Sequence, residues 1–260
     1  MTGNSSTRIV TESDRKLFEA LAEARVLDRE QASEITGRRQ VSVSTCNAWL
    51  LKLVRAGLLK RFFIATEDRG IKALYSLTPL SAGIVHCEYR PIPRPADSVL
   101  TSEPFVLHQL AVNSVLMQVK YREMPSEDVS FVRWIGFTEP IFQEIQLVPD
   151  GYFELKTPIE LHSMFCEVDR GTEPQKTLAK KIELYLRLAT SGEFRRLFQN
   201  QRFRVLVIAE SERRLLQIRK TVAQQTSKVF WFSTLNVINR QGLFAAHWLR
   251  PVGDSRFSLL

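Results

Sequence analysis

The chain is poor in cysteine, lacks any long apolar run and has no glycine-rich phosphate loop, and each absence removes a class of function. Cys46, Cys87 and Cys166 are odd in number and far apart among 260 residues, which excludes a disulfide framework and fits a reducing compartment, the cytoplasm. No window approaches the roughly 18 consecutive apolar residues of a membrane span, and Met1 to Thr7 is polar, without the apolar centre of a signal peptide. The expectation is a cytoplasmic protein with no membrane partner. Without a glycine-rich loop, nucleoside triphosphate hydrolysis has no support. Zinc has little more: His86 beside Cys87, and His162 four residues before Cys166, have no CxxC or HxxxH partner. What is present is positive charge. Lys and Arg number 36 against 28 Asp and Glu, a formal net charge of +8 on a chain that is 44% hydrophobic, so a globular protein is expected whose field attracts a polyanion such as nucleic acid.

Hydrophobic spacing divides the chain. Leu17, Phe18, Leu21 and Ala24 recur at helical intervals behind Ser13 as N-cap, and a short helix capped by Asp28 carries Ala32 and Ile35 and stops at Gly37. A third helix, Ser42 to Ala56, shows one stripe through Val43, Cys46, Leu50, Leu53 and Val54, continued by Leu58. Two β-prone runs follow, Leu58 to Ile64 and Ala73 to Thr78, around the polar stretch Thr66 to Gly70. Three helices and a hairpin predict a winged helix-turn-helix over residues 8–85. Pro91, Pro93 and Pro95 make 86–103 an extended linker. Residues 104–250 read as αβββαβαβ: a helix over Phe105 to Tyr121, strands over Val129 to Phe137, Leu147 to Leu155 and Ile159 to Val168, a basic helix from Thr172 or Glu173 to Ala189, a strand over Arg204 to Ala209, a helix from Ser211 to Gln225 and a strand over Val229 to Leu235. The final strand, helix, strand series implies a parallel crossover, hence an α/β chain, α+β overall, with a mixed sheet.

Two clusters could carry chemistry. On the third helix Ser42, Ser44, Thr45, Asn47 and Lys52 lie off the apolar stripe and suit base edges and phosphates. Arg38, Arg39, Arg55, Lys60, Arg61, Arg69 and Lys72 surround them, opposed locally by Glu67 and Asp68, so double-stranded DNA is the expected partner. Phe62 and Phe63 belong more simply to that domain's core than to a wing tip. The second cluster is acidic. Asp150 stands in Val148-Pro149-Asp150-Gly151-Tyr152, and Glu167 and Asp169 share one side of a strand end. Three converging carboxylates repel unless a cation neutralises them, and hard oxygen donors select Mg2+ or Mn2+. Asp150, Glu167 and Asp169 are therefore the expected metal ligands, with Glu154 in the outer shell. Lys176 or Lys180 of the next helix is the expected phosphate-stabilising cation, positioned by Glu173. Tyr75, Tyr152 and Tyr185 could attack DNA but read more simply as packed aromatics.

Pro149-Asp150-Gly151, then Glu167-Val168-Asp169 before a basic helix, resembles the PD-(D/E)xK nuclease superfamily and its restriction-endonuclease-like fold, with Asp169 standing where that pattern has lysine. His108-Gln109-Leu110-Ala111-Val112-Asn113, the tract Glu167-Val168-Asp169-Arg170-Gly171-Thr172-Glu173 and Ser211-Glu212-Arg213-Arg214 together resemble the replication-relaxation family, which is similar to the MobC class of mobilisation relaxases. The resemblance implies a plasmid or integrative-element protein that nicks or relaxes DNA at an origin, works with other replication or transfer proteins and can form a homodimer. Its alternative is a DNA-binding regulator whose nuclease-like domain is inactive.

Overall fold

The computed structural model describes residues 9–38, 40–65, 70–92, 95–100, 104–142, 144–171 and 174–260. The chain divides into two compact units, residues 1–113 and 114–260. Among the described residues, no helix is long and apolar enough to cross a membrane.

In the first unit α1 (Glu12–Ala24) starts from Thr11 rather than Ser13. The Asp14 N–H donates to Thr11 Oγ1 at 3.2 Å and the Thr11 N–H donates back to Asp14 Oδ2 at 3.0 Å, so two orphan donors of the first turn are satisfied at once. β1 (Leu27–Asp28) leads into α2 (Arg29–Ile35), capped by Asp28 as the sequence predicts. α3 (Val43–Arg55) is capped by Ser42, whose hydroxyl accepts the Thr45 N–H at 3.2 Å. Its buried stripe is Cys46, Trp49, Leu50 and Leu53, whereas Val43 is 56% exposed. Trp49, at the opposite edge of the stripe from Val43, is buried instead, and its indole N–H donates to the fully buried Asp14 carboxylate at 2.7 Å.

β2 (Leu59–Ala65) and β3 (Ile71–Leu77) pair antiparallel from Leu59 opposite Leu77 to Ala65 opposite Ile71, and β1 pairs antiparallel with β3. Phe62 is fully buried, as the sequence predicts, among Val26, Ile64, Leu74, Ile92 and Val106. α4 (Pro79–Ile84) is a short helix capped by Thr78. The stretch after it is packed against the unit: Ile92 is buried, its carbonyl accepts from the Lys60 ammonium at 3.0 Å, and Asp97 pairs with Arg61 at 2.6 Å. β4 (Val99–Leu100) then adds in parallel to β2, giving the sheet order β1-β3-β2-β4.

α5 (Pro104–Lys120) runs across the division between the units. In the second unit β5 (Ser130–Ile135), β6 (Gly151–Lys156) and β7 (Leu161–Asp169) are antiparallel neighbours. α6 (Gln175–Thr190) and α7 (Glu193–Phe198) follow, then β8 (Arg204–Ala209), α8 (Glu212–Ala223), β9 (Phe230–Thr234), α9 (Leu235–Gln241), β10 (Trp248–Leu249) and β11 (Arg256–Phe257). The seven strands run β11-β10-β9-β8-β7-β6-β5, parallel across β7, β8 and β9 and antiparallel elsewhere. This is the expected mixed sheet. β8 is apolar throughout its buried length because both faces are covered. One core joins Leu178, Ile182 and Tyr185 of α6 and Leu215, Ile218 and Val222 of α8 to the sheet, with Phe165 at the centre of an aromatic group that includes Phe203 edge-on at 5.1 Å.

Candidate functional site

The carboxyl ends of β7 and β8 lie side by side, Asp169 opposite Ala209, immediately before the helices that cover the sheet. In open sheets of this kind the carboxyl ends of parallel strands are where polar site residues gather, and Glu167 and Asp169 are buried there. Asp150 reaches the same corner because β6 begins one residue later, at Gly151 opposite Cys166. Glycine is required there: a Cβ on Gly151 would fall 2.4 Å from the Trp134 ring. The Val168 N–H donates to Asp150 Oδ2 at 2.7 Å, which pins that carboxylate beside the backbone between Glu167 and Asp169.

Glu167 and Asp169, two residues apart, face α6 and α8 but meet different partners. Glu167 is buried. The Tyr185 hydroxyl donates to its Oε1, and the Lys181 ammonium lies against Oε2. Burial pushes the Glu167 carboxyl up to about 8, with Lys181 opposing the rise and the negative charge of Asp150 adding to it. The Tyr185 hydroxyl is held well above its ordinary value by burial first and by Glu167 next. Asp169 is clamped by the guanidinium of Arg214, Nε to Oδ1 and Nη2 to Oδ2 at 2.8 Å each, and also accepts the Gly171 N–H at 2.7 Å.

The structure thus brings Asp150 beside Glu167 and turns Asp169 toward α8. Among the described residues, no group of three His, Cys, Asp or Glu side chains is placed to hold a metal ion. The charge argument for a three-carboxylate cage gives way because the protein supplies its own cations, Lys181 and Arg214. Lys176 and Lys180 are exposed, and Lys181 is the lysine of α6 that reaches the corner. At about 100° per residue, Lys181 borders the face of Leu178, Ile182 and Tyr185, whereas Lys176 and Lys180 lie well round the helix. Glu154 is buried four residues along β6, where Arg133 grips both of its oxygens at 2.7 Å and the Tyr152 hydroxyl donates at 2.5 Å. Thr172 and Glu173 lie outside the described residues.

In the first unit, Ser42, Ser44 and Thr45 are exposed at the start of α3, with the Ser42 hydroxyl 2.9 Å from each of the other two. Lys52 and Arg55 are exposed and Asn47 is half-buried. The Arg38 guanidinium lies 4.5 Å from the centre of the Trp49 ring, which fixes its stem near the helix. Other expected phosphate contacts are engaged within the unit. Arg61 pairs with Asp97 and stacks on Phe63 at 4.9 Å, Lys60 binds the Ile92 carbonyl, and Lys72 pairs with Asp28 at 2.9 Å. Arg39, Glu67, Asp68 and Arg69 lie outside the described residues.

Arg214 is the residue of this corner that charge patterning does not single out; its signal is its place in Ser211-Glu212-Arg213-Arg214, in the first turn of a helix that starts beside the acidic strand end. A family model described as replication-relaxation matches residues 18–200, more than half of the chain. No curated protein and no solved structure matches it.

Proposed function

The chain belongs to the replication-relaxation family, with a role in plasmid replication or mobilisation, and from that premise we propose that it binds duplex DNA at an origin-like site and nicks one strand there. On this reading it is a MobC-like relaxase that works beside the element's other replication or transfer proteins. The exposed face of α3 docks on the DNA, with Ser42, Ser44, Thr45 and Asn47 toward base edges and Arg38, Lys52 and Arg55 toward phosphates. The second unit carries the cutting chemistry of a restriction-endonuclease-like domain.

Asp150 and Glu167 would hold Mg2+ or Mn2+. The donor set suits such an ion, since magnesium is commonly held by one or two carboxylates with waters and substrate phosphates completing the shell. When bound, the ion polarises the phosphodiester and lowers the pKa of an attacking water. The chain's own groups do the positioning. The Val168 N–H fixes Asp150, the Tyr185 hydroxyl fixes Glu167, and Lys181 offers an ammonium to the charge that builds on the phosphate. Asp169 acts through Arg214, tying the end of β7 to the start of α8. The observation that carries the proposal is Asp150 bound to the strand at Val168, one residue from a Glu167 already in contact with a lysine.

The test is conversion of supercoiled plasmid bearing the element's origin to open circles. Nicking is expected with Mg2+ or Mn2+, absent in chelator, and lost in Asp150→Asn, Glu167→Gln and Lys181→Ala but retained in Lys176→Ala and Lys180→Ala. A second reading, a DNA-binding regulator with an inactive nuclease-like unit, is favoured by one observation: Glu167 and Asp169 already have Lys181 and Arg214 as counter-ions. Supercoils left intact by a protein that still retards origin DNA would establish that reading.

A further inference from the structure

At the other end of the same strands the second unit has a cavity of about 540 Å³, lined by the starts of β7, β8 and β9 and by Arg250. His162 in its wall lies seven positions before Asp169 along β7, on the order of 20 Å at about 3.3 Å per residue, and this cavity and the acidic corner share no side chain. Its wall holds four cations, Arg202, Arg204, Lys228 and Arg250, against a single carboxylate, Glu160. Glu160 is exposed and turned to His162, its Oε1 3.4 Å from Nδ1.

The cations are held in place. The guanidiniums of Arg204 and Arg250 both lie on Trp231, 5.0 and 4.6 Å from its centroid. Arg204 is further fixed by the Leu259 carbonyl, and the backbone at Arg250 is fixed by its carbonyl accepting from Arg219 Nε at 2.7 Å. Burial lowers the pKa of both guanidiniums; the negative charge of Glu160 opposes this at Arg204, and Arg204 lowers that of Arg250 further. His162 is likewise kept toward its neutral form by burial, then by Arg204. Two half-buried guanidiniums crowded on one indole, with no carboxylate bridging them among the described residues, repel one another and keep most of their donors free. An oxyanion held by them relieves that repulsion and accepts from those donors.

We propose that this cavity binds the phosphoryl group of a nucleotide, either free or at the end of a DNA strand. Forked guanidinium donors match phosphate oxygens in pairs, the two flanking cations Arg202 and Lys228 suit its second charge, and the volume lies in the range of small-ligand sites. The inference is independent of the acidic corner, and its test is run in chelator so that nicking plays no part.

Calorimetric titration and thermal melting are performed on the full chain with inorganic phosphate, 2′-deoxyadenosine, its 5′-monophosphate, and a short single-stranded oligonucleotide with and without a 5′-phosphate. Saturable binding is expected for phosphorylated probes and not for the nucleoside. Binding should weaken by roughly tenfold, the order of one lost charge-assisted hydrogen bond, in Arg250→Gln and in the doubly substituted Arg202→Ala, Lys228→Ala chain. The double variant alters exposed side chains and keeps the test decisive should Arg250→Gln misfold. Binding of the monophosphate identifies a free nucleotide as the source; preference for the 5′-phosphorylated oligonucleotide identifies a strand end. No saturable binding of any phosphorylated probe overturns the proposal, as does natural affinity in the double variant.

Discussion

Arg214 is a residue whose removal the second unit should feel. Its guanidinium grips both oxygens of Asp169, and the two side chains are 16% and 6% exposed, so Arg214→Ala leaves a buried carboxylate without its main counter-ion. Loss of one partner from such a pair costs about 3 kcal/mol, to be read from urea unfolding monitored by circular dichroism. A loss below about 1 kcal/mol would show that the clamp is an incidental surface pair. Added magnesium should not restore the loss, because among the described residues no three carboxylates, Asp169 included, are grouped to hold an ion; recovery on adding the ion would return Asp169 to the ligand set. The same corner shows what residue types alone reveal. Asp150, Glu167 and Asp169 stand out by spacing, yet which cation meets which carboxylate depends on helix phase and on where α8 begins. Lys181 shares its lysine run with Lys176 and Lys180, and only the phase set by Leu178, Ile182 and Tyr185 separates them. Arg214 is 45 residues from its partner and comes into reach through the parallel pairing of β7 with β8.

For the elements, the most direct expectation concerns α3. Lys52 and Arg55 are exposed on it, while Arg61 on β2 is engaged by Asp97. If α3 lies on a duplex, Lys52→Ala and Arg55→Ala should each flatten the plot of log affinity against log salt by about one unit, and Arg61→Ala should change it less. Fluorescence anisotropy with origin DNA over a salt series measures this. Equal slopes in all three variants and the natural chain would remove α3 as the docking face. Elements long enough to carry a period were legible: α3, α6 and α8 show the spacing of their buried faces, and β8 ends where its apolar run ends. Among the short elements α2 was legible through its Asp28 cap and β8 through its apolar run, but others were not. α4, α7, α9, β10 and β11 span seven residues at most, too few to display a period, and they owe their form to caps and to neighbours distant in sequence. β6 starts later than its apolar run because Pro149 cannot donate to the ladder and Asp150 turns to Val168 instead.

Across the whole molecule, composition foretold a basic globular chain and the order of elements foretold a mixed sheet, but not that one strand, β7, would connect an acidic corner to a cationic cavity at its other end. That segregation arises from register, since pairing places Asp150 near the end of β7 and Arg204 opposite Met164 near its beginning. It makes the two ends separately addressable by salts of opposite kind. The counter-ions at the acidic corner also decide how folding relates to metal. Lys181 and Arg214 balance their carboxylates without help, so the melting temperature of the full chain should be the same in chelator as in the buffer it leaves. A drop of several degrees on chelation would mean that an ion is part of the fold. On the nicking reading proposed above, stability and loading would then be uncoupled: the polypeptide would mature and settle on DNA while divalent ions are scarce, and their later arrival would serve as a trigger for cutting.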